Sequence, residues 1–174
     1  MNLALRAFGI TILAASFPAI TTSGAMATAA PKTENLDSLG VAQSNEEVSD
    51  GLIAVANAAE RDDSGTLLSV TWSVENEGNT EVYFDWPTGP SYTYTNIAFS
   101  GVTAVTQEGG TRFHPIMDGQ GACLCSGVSS IDFKENIGPG EQVAYWSMYS
   151  VPEDVDAITL EIPGFEPIED IPIS

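Results

Sequence analysis

Two cysteines separated by a single residue, Cys123-Leu124-Cys125, are the most chemically pointed feature of this sequence. In an oxidising compartment such a pair closes on itself, because a bent Cys-x-Cys backbone brings its Cα atoms into the roughly 4.4–6.8 Å range of a disulfide. Gly119, Gly121 and Gly127 flank the pair and let the chain bend. Closing so small a ring removes little chain entropy, so the bridge is expected to stiffen one loop more than it stabilises the fold. A small ring is also more readily reduced, which keeps a redox role in view. The sharper alternative uses the neighbours. His114, Met117, Cys123 and Cys125 fall within twelve residues, and imidazole, thioether and thiolates together suit Cu(I). Against it stand ordinary roles, with Met117 packed in a core and His114 exposed on a strand.

Recognition has its own candidate in the segment from Trp86 to Tyr94, WPTGPSYTY, where Trp86, Tyr92 and Tyr94 punctuate a Gly/Pro-rich loop. Tyr and Trp offer large contact area with few rotors, and loops are where β domains bind their partners. The competing reading has Trp86 finishing a core strand while the tyrosines cover the end of the fold. Hydrolysis has little to stand on. A serine triad must use His114, the one imidazole, and no strand–Ser–helix elbow accompanies it. The turns at Asp62-Asp63-Ser64-Gly65 and Glu153-Asp154-Val155-Asp156 are acidic, but neither has EF-hand spacing. No catalytic residue is assigned, and no cofactor is expected.

The wider composition sets these residues in context. The chain has 174 residues, with 24 Asp and Glu, five Lys and Arg, one His, and a formal charge of −19. Gripping nucleic acid or an anionic membrane requires clustered Lys and Arg, so neither is an expected partner. With 43% hydrophobic and 9% aromatic residues the chain is expected to bury a core and fold as one domain.

Residues 1–27 read as a secretory signal. Arg6 supplies the positive start, Ala7 to Ile20 is mostly apolar with Pro18 breaking it, and Ala25-Met26-Ala27 has the small-x-small form of a cleavage site. Ala29 and Ala30 are alternative exits. The apolar run is too short and interrupted for a membrane span, so the mature chain is expected to be secreted or cell-wall associated, without membrane insertion. Cleavage after Ala27 leaves 24 acids against Lys32, Arg61, Arg112 and Lys134, a formal charge of −20. Such a surface favours a soluble monomer and a salty medium, which screens the self-repulsion.

Residues 28–50 are small, polar and acidic, and are expected to form a flexible spacer. From Gly51 the texture changes to short strands. The alanines of Leu52 to Ala58 would suit a short helix, but the turn at Asp62 to Gly65 and the strand after it favour the first arm of a hairpin. Leu68 to Asn76 alternates apolar and polar residues, which puts Leu68, Val70, Trp72 and Val74 on one face. Further strands are expected at 82–86, at 97–99 running into 102–106, and at 111–116, 129–133, 142–149 and 157–162. The tail from Phe165 to Ile173 follows Pro163 and contains Pro167 and Pro172, so it is expected as an edge strand or an extended cover. Seven or eight antiparallel strands divided by turn signals predict an all-β immunoglobulin-like β-sandwich over residues 51–174, with Trp72 as its core aromatic.

The run from Val74 to Val82, VENEGNTEV, resembles the strand–turn–strand signature of small secreted actinobacterial immunoglobulin-like proteins. The later order of a Gly-flanked Cys-Leu-Cys-Ser, an Ile-Gly-Pro-Gly-Glu turn at 137–141 and an aromatic strand at Tyr145-Trp146 is similar too. In architecture these proteins are related to the immunoprotective extracellular antigens of mycobacteria. The resemblance spans roughly residues 51–173. It implies export and an immunoglobulin-like fold, and it carries no catalytic residues. The expectation is a non-enzymatic binding or surface module for a protein or cell-wall component, with an extracytoplasmic redox or copper protein as the alternative.

Overall fold

The alternation at Leu68, Val70, Trp72 and Val74 builds the centre of the molecule. In the computed structural model, which describes residues 36–88, 94–107, 110–131 and 133–174, these four side chains are buried on one face of strand β3, Leu67–Asn76. The strand pairs antiparallel along its length with β2, Leu52–Arg61, and with β8, Gln142–Ser150. A short β1, Gly40–Gln43, adds to the far edge of β2, so the sheet order is β1-β2-β3-β8. A second antiparallel sheet has the order β10-β9-β5-β6, with β5 at Thr103–Thr106, β6 at Arg112–Phe113, β9 at Ala157–Glu161 and β10 at Ile168–Pro172. Val82–Tyr83 as β4 and Asn136–Ile137 as β7 form a small third pair. The fold is therefore all-β. Among the described residues one 3₁₀ turn at Glu47–Ser49 breaks the pattern, and no helix is long and apolar enough to cross a membrane.

Both four-stranded sheets contribute to one core. Leu52, Val70, Trp72 and Tyr145 from the first join Ala104, Ile158, Leu160 and Ile171 from the second. Trp72 lies 4.8 Å from Tyr145, 6.1 Å from Phe99 and 6.3 Å from Phe84 between ring centroids, close enough for tilted and edge-on ring packing. The small residues of β2 make room for it, since Ala56 is its cross-strand partner and Ala54 sits opposite Val74. The register of β2 then shifts between Ala56 and Ala58. This bulge at Asn57 reverses the parity, so Leu52, Ala54, Ala56 and then Ala59 all reach the core. Asn57 is itself held, accepting from Ser73 Oγ at 2.8 Å and donating to the Asp37 carbonyl at 3.0 Å.

Arg61 ends β2 by donating to four carbonyls, those of Gly65, Val151, Pro152 and Val155, at 2.6–2.9 Å. One guanidinium thus ties the β2–β3 turn to the β8–β9 link. Asn76 works similarly at the other end of β3. Its Nδ2 donates to the carbonyls of Thr80 and Ile137, and its Oδ1 accepts from the Gly78 amide.

Three expectations from the sequence need correcting. The spacer expected over 28–50 does not extend through residues 36–50, because Val41-Ala42 adds a strand to β2 and Ala42 is buried. Just beyond, Ser44 bridges Phe165 and Glu166 donates to the Gln43 carbonyl, so this segment links both sheets. The signal at 1–27 and residues 28–35 lie outside the described residues. The strand expected at 129–133 is replaced by a turn, in which the Ser130 amide donates to the Gly127 carbonyl and Ser130 Oγ accepts from the Gly127 amide. Strand pairing passes instead to Asn136–Ile137. The number of strands also exceeds seven or eight, since the described residues hold ten, three of them two residues long. The tail does form an edge strand, with a register shift between Ile168 and Ile171.

Candidate functional site

The segment around the cysteines is laid against the open edge of β8. Asp118 starts a tight turn whose Oδ1 accepts from the amides of Gln120 and Ala122, both at 2.8 Å. The chain returns so that Met117 bridges Cys123 and the Leu124 amide donates to the Ile116 carbonyl. Leu124 and Ser126 then continue the sheet. The Met148 amide donates to Leu124, the Ser126 amide donates to Trp146, and Cys125 bridges Ser147. An edge strand with exposed polar groups invites foreign strands, and this segment covers that edge.

Cys123 and Cys125 are paired, with sulfurs at bonding distance and Cα atoms 5.3 Å apart. Both residues are buried, together with Ala98 and against Tyr94. With their sulfurs joined, the thiolates that the copper reading requires are consumed. Among the described residues no group of three or more His, Cys, Asp or Glu is placed to hold a metal ion. Met117 is exposed, and no packing role in the core holds for it. His114 is half-buried, and desolvation first, then the positive charge of Arg112, pushes its pKa below the usual histidine value.

The chain from Tyr94 to Phe99 runs beside this disulfide segment. Thr95 donates to the Gly121 carbonyl, the Cys123 amide donates to Asn96 Oδ1, Phe99 donates to Ser126, and Val128 donates to Ile97. The approach is close. A Cβ on Gly127 would lie 2.5 Å from the Ile97 carbonyl oxygen, so only glycine fits there. Of the aromatic recognition residues, Trp86 packs edge-on against Phe84 at 4.8 Å and its Nε1 donates to the Pro163 carbonyl. Tyr94 donates its hydroxyl to the Pro115 carbonyl at 2.7 Å. These two rings therefore anchor the ends of the loop, and Tyr92 lies outside the described residues.

Among polar residues such as Thr95, Gln120 and Ser129, these segments expose four large apolar side chains. Ile97 is 62% exposed, Met117 42%, Val128 56% and Ile131 92%. The backbone bonds above tie together the segments that carry Ile97, Met117 and Val128, with Ile131 in the turn that follows, and the disulfide braces this loop face. Sequence reasoning missed Ile97, Val128 and Ile131 because alternating aliphatic and small residues read as strand. The one available signal was the Ser126-Gly127 pair with Ser129-Ser130 just after Val128, a turn composition.

Neither a protein-family model nor a curated protein matches this sequence. Among solved structures, the chain is similar to a functionally unknown protein from Listeria monocytogenes EGD-e, at 12% sequence identity and a TM-score of 0.39, with 82% of this chain and 88% of that one covered.

Proposed function

We propose that this chain is an exported, non-enzymatic binding module, an immunoglobulin-like β-sandwich that works as a monomer on a protein or cell-wall component outside the cytoplasm. Two antiparallel sheets sharing one core around Trp72 support the sandwich. So does the first strand, which pairs with β2 and is followed by Ser44, bridged to Phe165 in the link between β9 and β10. A buried disulfide is compatible with an oxidising compartment. The observation that carries the binding reading is the loop face. Ile97, Met117, Val128 and Ile131 expose aliphatic surface on segments that the disulfide and backbone bonds already order. Large apolar side chains held exposed on neighbouring segments are candidates for a contact surface, and an ordered loop loses less entropy on binding.

The test is retention of the purified chain on envelope material from its own organism, compared with a Val128→Asp, Ile131→Asp double variant. The expected result is saturable retention of the parent chain and a loss of about tenfold or more in the variant, from excluded apolar area and a new desolvation cost. Equal retention of both chains, or none of either, contradicts the proposal. Free thiols in the exported protein, with copper uptake that depends on them, would instead favour the redox and metal alternative.

A further inference from the structure

A groove of about 350 Å³ that shares no lining residue with the loop face is formed by the β9–β10 turn, the link after β1 and the β5–β6 pair. Its size is at the small end of ligand pockets, enough for one or two sugar-sized rings. The wall formed by Pro163-Gly164-Phe165 is fixed from behind. The Pro163 carbonyl accepts from Trp86 Nε1 at 2.9 Å, the Gly164 carbonyl accepts from the Asn45 amide at 3.0 Å and from Ser49 Oγ, and the Phe165 carbonyl accepts from Asn45 Nδ2 at 2.9 Å. Gly164 has φ of 91°, and a Cβ there would lie 2.9 Å from Trp86 Nε1, so the wall is built for glycine. Three consecutive carbonyls engaged this way make a rigid surface, which is what a binding site needs from its supporting residues.

Arg112 and Glu161 stand together in the same lining. Arg112 Nη1 donates to Thr103 Oγ1 at 2.7 Å and forms an ion pair with Glu161, while 47% and 34% of the two side chains remain exposed. Arg112 offers only donors and an ionised Glu161 only acceptors, so the pair presents both kinds of group side by side. Prolines 163 and 167 supply flat apolar surface at the same groove. With Glu46 also in the lining, the charged groups sum to one negative charge, on a chain of formal charge −19. That field disfavours an anion.

We propose that this groove binds a neutral sugar through neighbouring hydroxyls. Each hydroxyl donates and accepts, so adjacent ones meet the Glu161 carboxylate and the Arg112 guanidinium together while the carbon face of the ring rests on the prolines. A cation would use the carboxylates but leave the guanidinium opposed. A carboxylated or phosphorylated ligand would meet Glu46 and Glu161.

The experiment is an NMR titration of the ¹⁵N-labelled purified chain with cellotriose, maltotriose and chitotriose, with glucuronate and methylammonium as charged comparators. At least one neutral trisaccharide is expected to give saturable shifts at the Glu46, Gly101 and Gly164 amides, at a Kd of roughly 0.1–10 mM for so small an open site. Arg112→Ala is expected to weaken binding about tenfold, and Glu161→Gln about fivefold, as hydrogen bonds to charged groups are lost. Thermal melts establish that both variants fold, and Ile131→Asp on the loop face is expected to leave the titration unchanged. Three results would each overturn the proposal: no saturable shift with any trisaccharide at about 20 mM, tighter binding of glucuronate or methylammonium at the same amides, or unchanged affinity in folded Arg112→Ala.

Discussion

Removing the Cys123–Cys125 bridge separates a loop brace from a pillar of the fold. The bridge closes a loop of three residues, since its ends are two apart in sequence. In the chain-entropy treatment that constraint is worth about 1.6 kcal/mol at 25 °C, against roughly 4.7 kcal/mol for a 100-residue loop. The two cysteines pack with Ala98 and Tyr94 and lie outside the cluster around Trp72, so their replacement opens no cavity in the main core. A Cys123→Ser, Cys125→Ser double variant is therefore expected to stay folded and to lose roughly 5–8 °C of Tm at most, given the scaling for a domain of this size. The loss should be local. Amide exchange is expected to quicken by about tenfold at Ser126 and Met148, whose amides hold the segment to β8, and at Leu124, whose amide donates to Ile116 within it, and to stay unchanged at Val70 and Trp72 in β3. Differential scanning calorimetry with residue-resolved hydrogen exchange reads both quantities. Global unfolding of the variant, or equal acceleration in β3, would refute the reasoning.

Other consequences are equally specific. Arg61→Ala leaves four carbonyls without their shared donor and is expected to cost about 2–4 kcal/mol in urea denaturation, with Arg61→Lys recovering part of it. Trp72→Ala, in the middle of the aromatic cluster, is expected to cost about 3–5 kcal/mol or prevent folding, while Trp72→Phe should fold. The pKa of His114 is lower in the folded chain, so the unfolded chain binds its proton first and stability should decline as pH falls below the ordinary histidine value of 6.5. His114→Gln is expected to flatten Tm between about pH 7 and 5, and an unchanged slope would contradict this. Because 24 acids face five bases, Tm should rise as NaCl increases from about 0.02 to 1 M, and a fall would count against self-repulsion as the dominant surface term. Protein recovered from the culture medium is expected to begin at Thr28, with Ala30 or Pro31 as neighbouring starts, when its N-terminus is sequenced.

The strands that alternate strictly were legible because a period of two commits every second side chain to one face. Leu68 to Val74 has that pattern and forms the central strand β3, whereas Gln142 to Tyr149, apolar on both faces, was legible from the Gly138-Pro139-Gly140 turn before it and forms the edge strand β8. Gly40 to Gln43 was not legible. Its four residues are too small and too polar to signal burial, and the strand exists because β2 offers an edge and Ala42 finds the core. Leu52 to Ala58 read ambiguously for a related reason, since a run of alanines hides a parity change that only the bulge at Asn57 reveals. At the candidate sites, the cysteine pair could be read from spacing because its contact is local. The loop face could not, because Ile97 meets Val128 only through folding, and turn residues that expose aliphatics look like strand. The groove was still further from view. It assembles residues from Asn45 to Pro167 whose only link is the packing of β9 and β10 against the link after β1.

The central claim, that the disulfide-braced loop face is where this module meets its partner, is tested most directly by hydrogen exchange of the chain in the presence and absence of saturating envelope material. The account predicts protection concentrated in residues 95–98 and 121–131, with β2 and β3 unchanged. Protection confined to other segments, or no protection at saturation, would contradict it.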